Sequence, residues 1–176
     1  KPSGLEAVSV TQTRISLRWN PSSDNVKVKK YEVYIDGKLA GSPAKPSFEL
    51  QNLAPGTRYS VRVKAVDASG LCSAASAPLL VSTLKDTKAP SAPSNLKIIS
   101  GKGASVSLSW DVSKDDVKVK GYNIYCNGEQ VASTAKTSVT VKNSSVLGLS
   151  IYWVRAIDTS GNLSDKSNTV VALSFK

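Results

Sequence analysis

The sequence predicts an all-β protein of two consecutive sandwiches, each made of two antiparallel sheets. Three observations lead there. First, the chain is written twice: Arg14-Ile-Ser-Leu-Arg-Trp19 and Lys30-Tyr-Glu-Val-Tyr-Ile-Asp-Gly37 return 91 residues later as Ser105-Val-Ser-Leu-Ser-Trp110 and Gly121-Tyr-Asn-Ile-Tyr-Cys-Asn-Gly128. A fixed offset without a gap marks a duplicated structural unit. Second, apolar and polar residues alternate within each copy, the period of a half-buried strand. Third, turn signals fall about every ten residues and no segment carries a helical period.

Taken in order, Pro2-Ser-Gly-Leu5 leads into a short first strand, Glu6 to Val10, whose proline suits a sheet edge. Ile15, Leu17 and Trp19 face one side, with Arg14, Ser16 and Arg18 on the other. Pro21-Ser-Ser-Asp-Asn25 breaks the pattern as a loop. Tyr31, Val33 and Ile35 then point inward while Glu32, Tyr34 and Asp36 point outward, and Asp36-Gly37 reads as a hairpin turn. Short strands follow at Lys38 to Ala40 and Pro46 to Leu50, the latter with Phe48 and Leu50 on one face. Leu53-Ala-Pro-Gly56 turns into the longest strand, with Tyr59, Val61, Val63 and Ala65 inward. Asp67-Ala-Ser-Gly70 is a loop, and Ala77 to Thr83 closes about seven strands. The second copy repeats the plan through Leu96, Val106, Leu108, Trp110, Tyr122, Ile124, Cys126, Val139, Val141, Tyr152, Val154 and Ala156. This gives a first domain over 1–84, a Pro-containing, semi-rigid linker over 85–91 and a second domain over 92–176.

Composition narrows the chemistry. Hydrophobic residues make up 40% and charged residues 20%, as in soluble globular proteins. No run of about 18 apolar residues exists, so membrane insertion is not expected. No signal peptide opens the chain, and its first residues already belong to the repeat, so it reads as a piece of something longer. The net charge of +10 divides evenly, +5 on residues 1–86 and +5 on 87–176. That spread argues against a nucleic-acid stripe. The two cysteines occupy non-equivalent places, Cys72 in a loop and Cys126 in a strand, so free thiols are expected. The absence of histidine removes the commonest general base, any Ser-His triad and most zinc sites. No nucleotide-binding or nucleophile-elbow motif is present. No catalytic residue, no cofactor and no enzymatic activity are expected.

The residues resemble fibronectin type III domains over essentially the whole chain. The likeness rests on the early proline, Trp19, Tyr31-x-Val33, the stretch Leu53-x-Pro-Gly-Thr-x-Tyr59-x-Val-x-Val-x-Ala65, and the Ser73 to Ser76 region. It implies seven-stranded, immunoglobulin-like sandwiches in which the Tyr59 hydroxyl closes a corner by bonding backbone. Asp24-Asn-Val-x-Val-x-x-Tyr-x-Val-Tyr-x-Asp-Gly37 and Ala65-Val-Asp-Ala-Ser-Gly70 are similar to copies in secreted bacterial chitinases and cellulases. There such copies sit between catalytic and carbohydrate-binding modules. The second copy departs from the pattern: Ser150 stands in the place of Tyr59, and Ser144 to Leu147 replaces the Leu-x-Pro-Gly corner.

Several residue groups have two readings each. Asp24, Asp67 and Ser69, with Asp115 or Asp116 and Asp158 in the second copy, offer oxygens at one pole of each sandwich. They suit a calcium ion, or turns in which carboxylates accept local backbone N–H groups. Tyr125, Trp153 and Arg155 share an outer sheet face and form a platform for sugar rings, or cross-strand packing that shields the sheet. Domain one carries Tyr34, Arg62 and Lys64 there. Lys27, Lys29, Lys30, Lys118 and Lys120 suit an anionic glycan, or edge lysines that deter aggregation. Asn143-Ser-Ser145 and Asn162-Leu-Ser164 match the glycosylation sequon. The resulting expectation is a monomeric, extracellular, secreted or cell-surface spacer whose partners are neighbouring modules of one polypeptide. A polysaccharide- or cell-surface-glycan-binding module, or an adhesion fragment, is the alternative.

Overall fold

Fourteen strands and no helix form among the described residues of the computed structural model, which are 1–25, 27–102, 105–142 and 148–174. They fall into two units, Lys1–Asp86 and Thr87–Lys176. In the first unit β1 (Ser3–Val10), β2 (Ile15–Asn20) and β5 (Ser47–Leu50) form one sheet in the order β1-β2-β5. β3 (Val28–Ile35), β4 (Lys38–Gly41), β6 (Arg58–Asp67) and β7 (Leu79–Ser82) form the other, ordered β4-β3-β6-β7. All pairings are antiparallel. Alternation delivers Ile15, Leu17, Trp19 and Leu50 from one sheet, and Tyr31, Val33, Val61, Val63 and Ala65 from the other, into a single core. Residue for residue, these are the positions the sequence marks as inward.

The aromatic pair spans that core. Trp19 on β2 meets Tyr31 on β3 edge to face, with ring centroids 5.3 Å apart and planes at 72°. The Tyr31 hydroxyl accepts the Ser22 N–H at 3.0 Å, so the ring also pins the loop between the two strands. β1 begins at Ser3, three residues before the expected start. Two register shifts carry it along β2, and Gly4 takes a φ of +65° where a Cβ would lie 2.6 Å from the Asn20 amide. The Asp36-Gly37 hairpin has positive φ at both positions, 47° and 81°, as a type I′ turn requires.

The corner before β6 closes as the tyrosine implies. Tyr59 Oη accepts the Ala54 N–H at 2.9 Å. Thr83 Oγ1 donates to the Ala54 carbonyl at 2.7 Å and accepts the Thr57 N–H at 2.9 Å. Beyond β6 the chain is irregular, yet Ser73 and Ser76 stitch it to the strand. Their hydroxyls accept the Ala65 and Val63 N–H groups, each at 3.0 Å, satisfying buried donors that no strand partner reaches.

The second unit repeats the topology. β8 (Lys97–Lys102), β9 (Ser105–Ser109) and β12 (Ser138–Lys142) make one sheet. β11 (Glu129–Thr134), β10 (Val119–Cys126), β13 (Gly148–Asp158) and β14 (Val170–Ser174) make the other, in that order. Trp110 and Tyr122 repeat the edge-to-face contact at 5.4 Å and 65°, and Tyr122 Oη accepts the Ser113 N–H at 2.9 Å. Ser164 and Ser167 repeat the serine stitching onto Ala156 and Val154. The segment Ser144 to Leu147 lies outside the described residues. At the position of Tyr59 stands Ser150, fully buried, and a tyrosine appears two residues on as Tyr152, in the place of Val61. Cys126 replaces Ile35 opposite it. A larger ring is thus offset by smaller neighbours, which keeps the core volume close to constant. Burial and the Cys126 thiol push the Tyr152 phenol above its ordinary pKa of 10.0, against the opposing hydrogen bond with Ser150.

Tyr59→Phe removes one hydrogen bond at the corner and leaves the second unit untouched. In a Trp110→Phe/Trp153→Phe background Trp19 alone reports unfolding, and the substitution is expected to lower the stability of the first unit by about 1 kcal/mol in urea. An unchanged midpoint would show that the corner bond contributes nothing.

Candidate functional site

Outward positions on the four-stranded sheet differ between the units. In the second unit Tyr125 on β10 lies directly opposite Trp153 on β13. Their rings are parallel within 6°, with centroids 5.8 Å apart. Parallel rings at that separation form an offset stack, so each covers part of one face of the other. Arg155 sits two residues along β13, opposite Asn123, and its Nε is buried without a hydrogen-bond partner among the described residues. All three candidate platform residues are half-buried and share one face.

Next to them is a strip that the sequence reading did not single out. Leu149 pairs with Leu173, and Ile151 with Val171, on the outer side of β13 and β14. Leu149 and Val171 are each 50% exposed and Leu173 is 59% exposed. In the first unit the matching positions on β6 and β7 are Arg58, Ser60, Leu80 and Ser82. The signal was present: from Leu149 to Val154 apolar residues fall on both parities, which a strand with one wet face does not need.

The same face of the first unit is charged. Tyr34 lies opposite Arg62, and Glu32 opposite Lys64. The Lys64 ammonium sits 5.3 Å from the Tyr34 ring centroid. Tyr34 Oη donates to Glu32 Oε2 at 2.7 Å, and Lys30 Nζ meets Glu32 Oε1 at 3.4 Å. The tyrosine's hydrogen bond, helped by Lys30 and Lys64, holds the Glu32 carboxyl below its ordinary 4.5. The same bond and the carboxylate's charge raise Tyr34 above 10.0.

The loop carboxylates come together in part. Asp24, Asp67 and Ser69 line one concavity of about 350 Å³. Asp67 Oδ1 there accepts the Leu71 N–H at 2.9 Å. In the second unit carboxylate oxygens of Asp115 and Asp158 approach within 4.8 Å of each other. Asp115 Oδ2 accepts the Val117 and Lys118 N–H groups, and buried Asp158 accepts from Ser160 N, Asn162 N and Asn162 Nδ2. Asp116 lies 4.0 Å from Lys88 Nζ. These bonds are those of turn-forming carboxylates. Asn162 of the second sequon therefore already commits its amide, and Ser164 is fully buried. The first sequon, at Asn143, lies outside the described residues. Lys29 and Lys30 lie within β3 and Lys120 within β10, with Lys27 and Lys118 just before them; neither strand is at a sheet edge, although β4 pairs with β3 only from Val33 onward. Cys72 and Cys126 are both free.

The model of the fibronectin type III domain matches residues 1–81, the strands and corner just described. The first unit is a fibronectin type III domain. The second unit shares its strand order and aromatic pair. The chain is 38% identical over 174 residues to Chitinase A1 of Niallia circulans, covering 96% of this chain and 25% of that protein. It is 35% identical over 175 residues to Exoglucanase B of Cellulomonas fimi, covering 96% of this chain and 16% of that one. It thus spans a quarter or less of these relatives. Among solved structures, the central fibronectin-III array of RIM-binding protein aligns with 99% of the chain and 64% of its own length, at 18% identity and a TM-score of 0.44.

The Tyr34–Glu32 contact of the first fibronectin domain has a defined pH window. Glu32 is depressed, so its contribution is present above pH 4.5 and lost as pH falls through the lower folded value. Tyr34 is raised, so its contribution is present below pH 10.0 and lost as pH climbs through the higher folded value. Carboxyl NMR should place the Glu32 titration below 4.5, and Tyr34→Phe should move it upward. Identical titrations in the two proteins would break the assignment.

Proposed function

We propose that this chain is a non-catalytic accessory segment of a secreted bacterial polysaccharide-degrading enzyme. Its two sandwiches set the separation and orientation between a catalytic module and a carbohydrate-binding one. The observation that carries the reading is the alignment of nearly the whole chain with a minor part of both a chitinase and an exoglucanase. Two enzymes named for different substrates share this segment, which fits a role independent of the sugar cleaved. The chemistry of the domains is consistent with it. Conspicuous carboxylates satisfy turn backbone, and the repeated aromatics fill cores. Holding a tethered catalytic module near an insoluble substrate raises its effective concentration without any new contact. Extracellular location and a monomeric state belong to the same proposal.

A second reading gives the second domain a direct sugar contact through Tyr125, Trp153 and Arg155. What favours it is that Trp153 has Arg62 as its counterpart, so the outer tryptophan is particular to one copy. One experiment on the enzyme containing this segment separates the two. Deleting the segment is expected to lower turnover of insoluble polysaccharide several-fold while leaving soluble oligosaccharide unaffected. Replacement by an unrelated pair of β-sandwiches of equal length should restore it under the spacer reading. No restoration, together with an equal loss from Trp153→Ala alone, would replace the spacer with the sugar contact. No effect of deletion would reject both.

A further inference from the structure

The two sheets of the first domain treat their cations differently. On the outer side of the three-stranded sheet each arginine has an acid across the strand. Arg14 Nη1 meets Glu49 Oε1 at 3.0 Å, and Arg18 Nε donates to Glu6 Oε1. On the outer side of the four-stranded sheet Arg58, Arg62 and Lys64 recur along β6, and no ion pair forms to any of them among the described residues. The two acids on that side are committed elsewhere. Glu32 holds Tyr34 and Lys30, and Asp36 Oδ1 accepts the Ser60 N–H at 2.9 Å. Arg58 and Arg62 are exposed, while Lys64 leans over the Tyr34 ring.

We propose that the face around β6 of the first domain binds a linear polysaccharide bearing carboxylates, with Arg58 and Arg62 as its principal contacts. Side chains two apart on a strand share a face, so Arg58 and Arg62 stand about 13 Å apart along a straight line, with Lys64 about 7 Å beyond. A flat surface with cations in a row suits an extended polymer whose charges also recur. Each guanidinium can take a carboxylate through two parallel N–H groups. A single-stranded nucleic acid is less well served, because its affinity needs aromatic faces for bases to stack on. The single ring on this side, Tyr34, is covered by Lys64 and has its hydroxyl bound. The equivalent row in the second domain reads Leu149, Trp153 and Arg155, so the site belongs to the first domain. This binding would add to a spacer role and does not depend on it.

The test is affinity electrophoresis of the whole chain in gels containing polygalacturonate, at low salt, beside gels containing neutral dextran. Arg58→Ser/Arg62→Ser is compared with Arg14→Ser/Arg18→Ser, which makes the same change in net charge on the opposite sheet. All four side chains are exposed or half-exposed, and far-UV circular dichroism checks that both variants fold. The wild type is expected to be retarded by polygalacturonate and not by dextran. The first variant should bind roughly tenfold more weakly and the second within about twofold of wild type. Equal weakening by both variants would reduce the effect to bulk charge and overturn the site. So would absence of retardation by polygalacturonate, or equal binding to single-stranded DNA.

Discussion

Each sandwich depends on one contact between its sheets, the tryptophan of the second strand set edge-on against the tyrosine of the third. The pair does three things at once. It fills the centre of the core with two large rings in a favoured quadrupole geometry. It joins two sheets whose strands, among the described residues, do not pair with each other. Through the tyrosine hydroxyl it also fixes the intervening loop, by accepting a backbone N–H from Ser22 or Ser113. Once those rings are placed, the alternation of β2 with β3, and of β9 with β10, has no freedom of register. A slip by one residue would turn the whole apolar set to water.

Around that fixed pair the two copies have diverged in coordinated ways. Tyr59, Val61 and Ile35 in one become Ser150, Tyr152 and Cys126 in the other, so that a tyrosine moves two residues along an inward face and smaller neighbours make room. Lys30 becomes Gly121, where any Cβ would lie 2.7 Å from the Thr134 carbonyl oxygen, and β11 can close against β10 there. Outside the core, the row Arg58, Ser60, Arg62 becomes Leu149, Ile151, Trp153. Packing constrains the inner face to conserve volume, whereas the outer face is free to change character.

The inner face was legible for this reason. A period of two, read from Ile15 or Val106 onward, assigns each side chain to core or solvent with no knowledge of strand pairing. The corner at Tyr59 was legible through its resemblance to a known pattern. What the pattern could not supply was anything that depends on which residues of different strands lie opposite one another. Cross-strand packing of Tyr125 with Trp153, and turn bonds at Asp115 and Asp158, were each one of two readings the sequence left open, and their geometry comes from register and loop path. The same holds for the neutralised arginines of one sheet against the bare ones of the other. Bulges add to the difficulty, since shifts between Ile124 and Tyr125, and between Ser3 and Glu6, change the pairing locally. The outer strip at Leu149 to Leu173 was visible as apolar residues on both parities, but only its pairing across β13 and β14 makes it a surface.

The repeated residues account for the fold, and the binding proposed above lies on the unrepeated outer faces. The first half of that statement is tested by a double-mutant cycle on Trp19→Leu and Tyr31→Leu, measured by urea unfolding with circular dichroism. If the pair is the contact on which the sandwich rests, the two losses are expected to fall short of additivity by about 1 kcal/mol. Strict additivity would contradict it, and would make each ring a separate filler of the core.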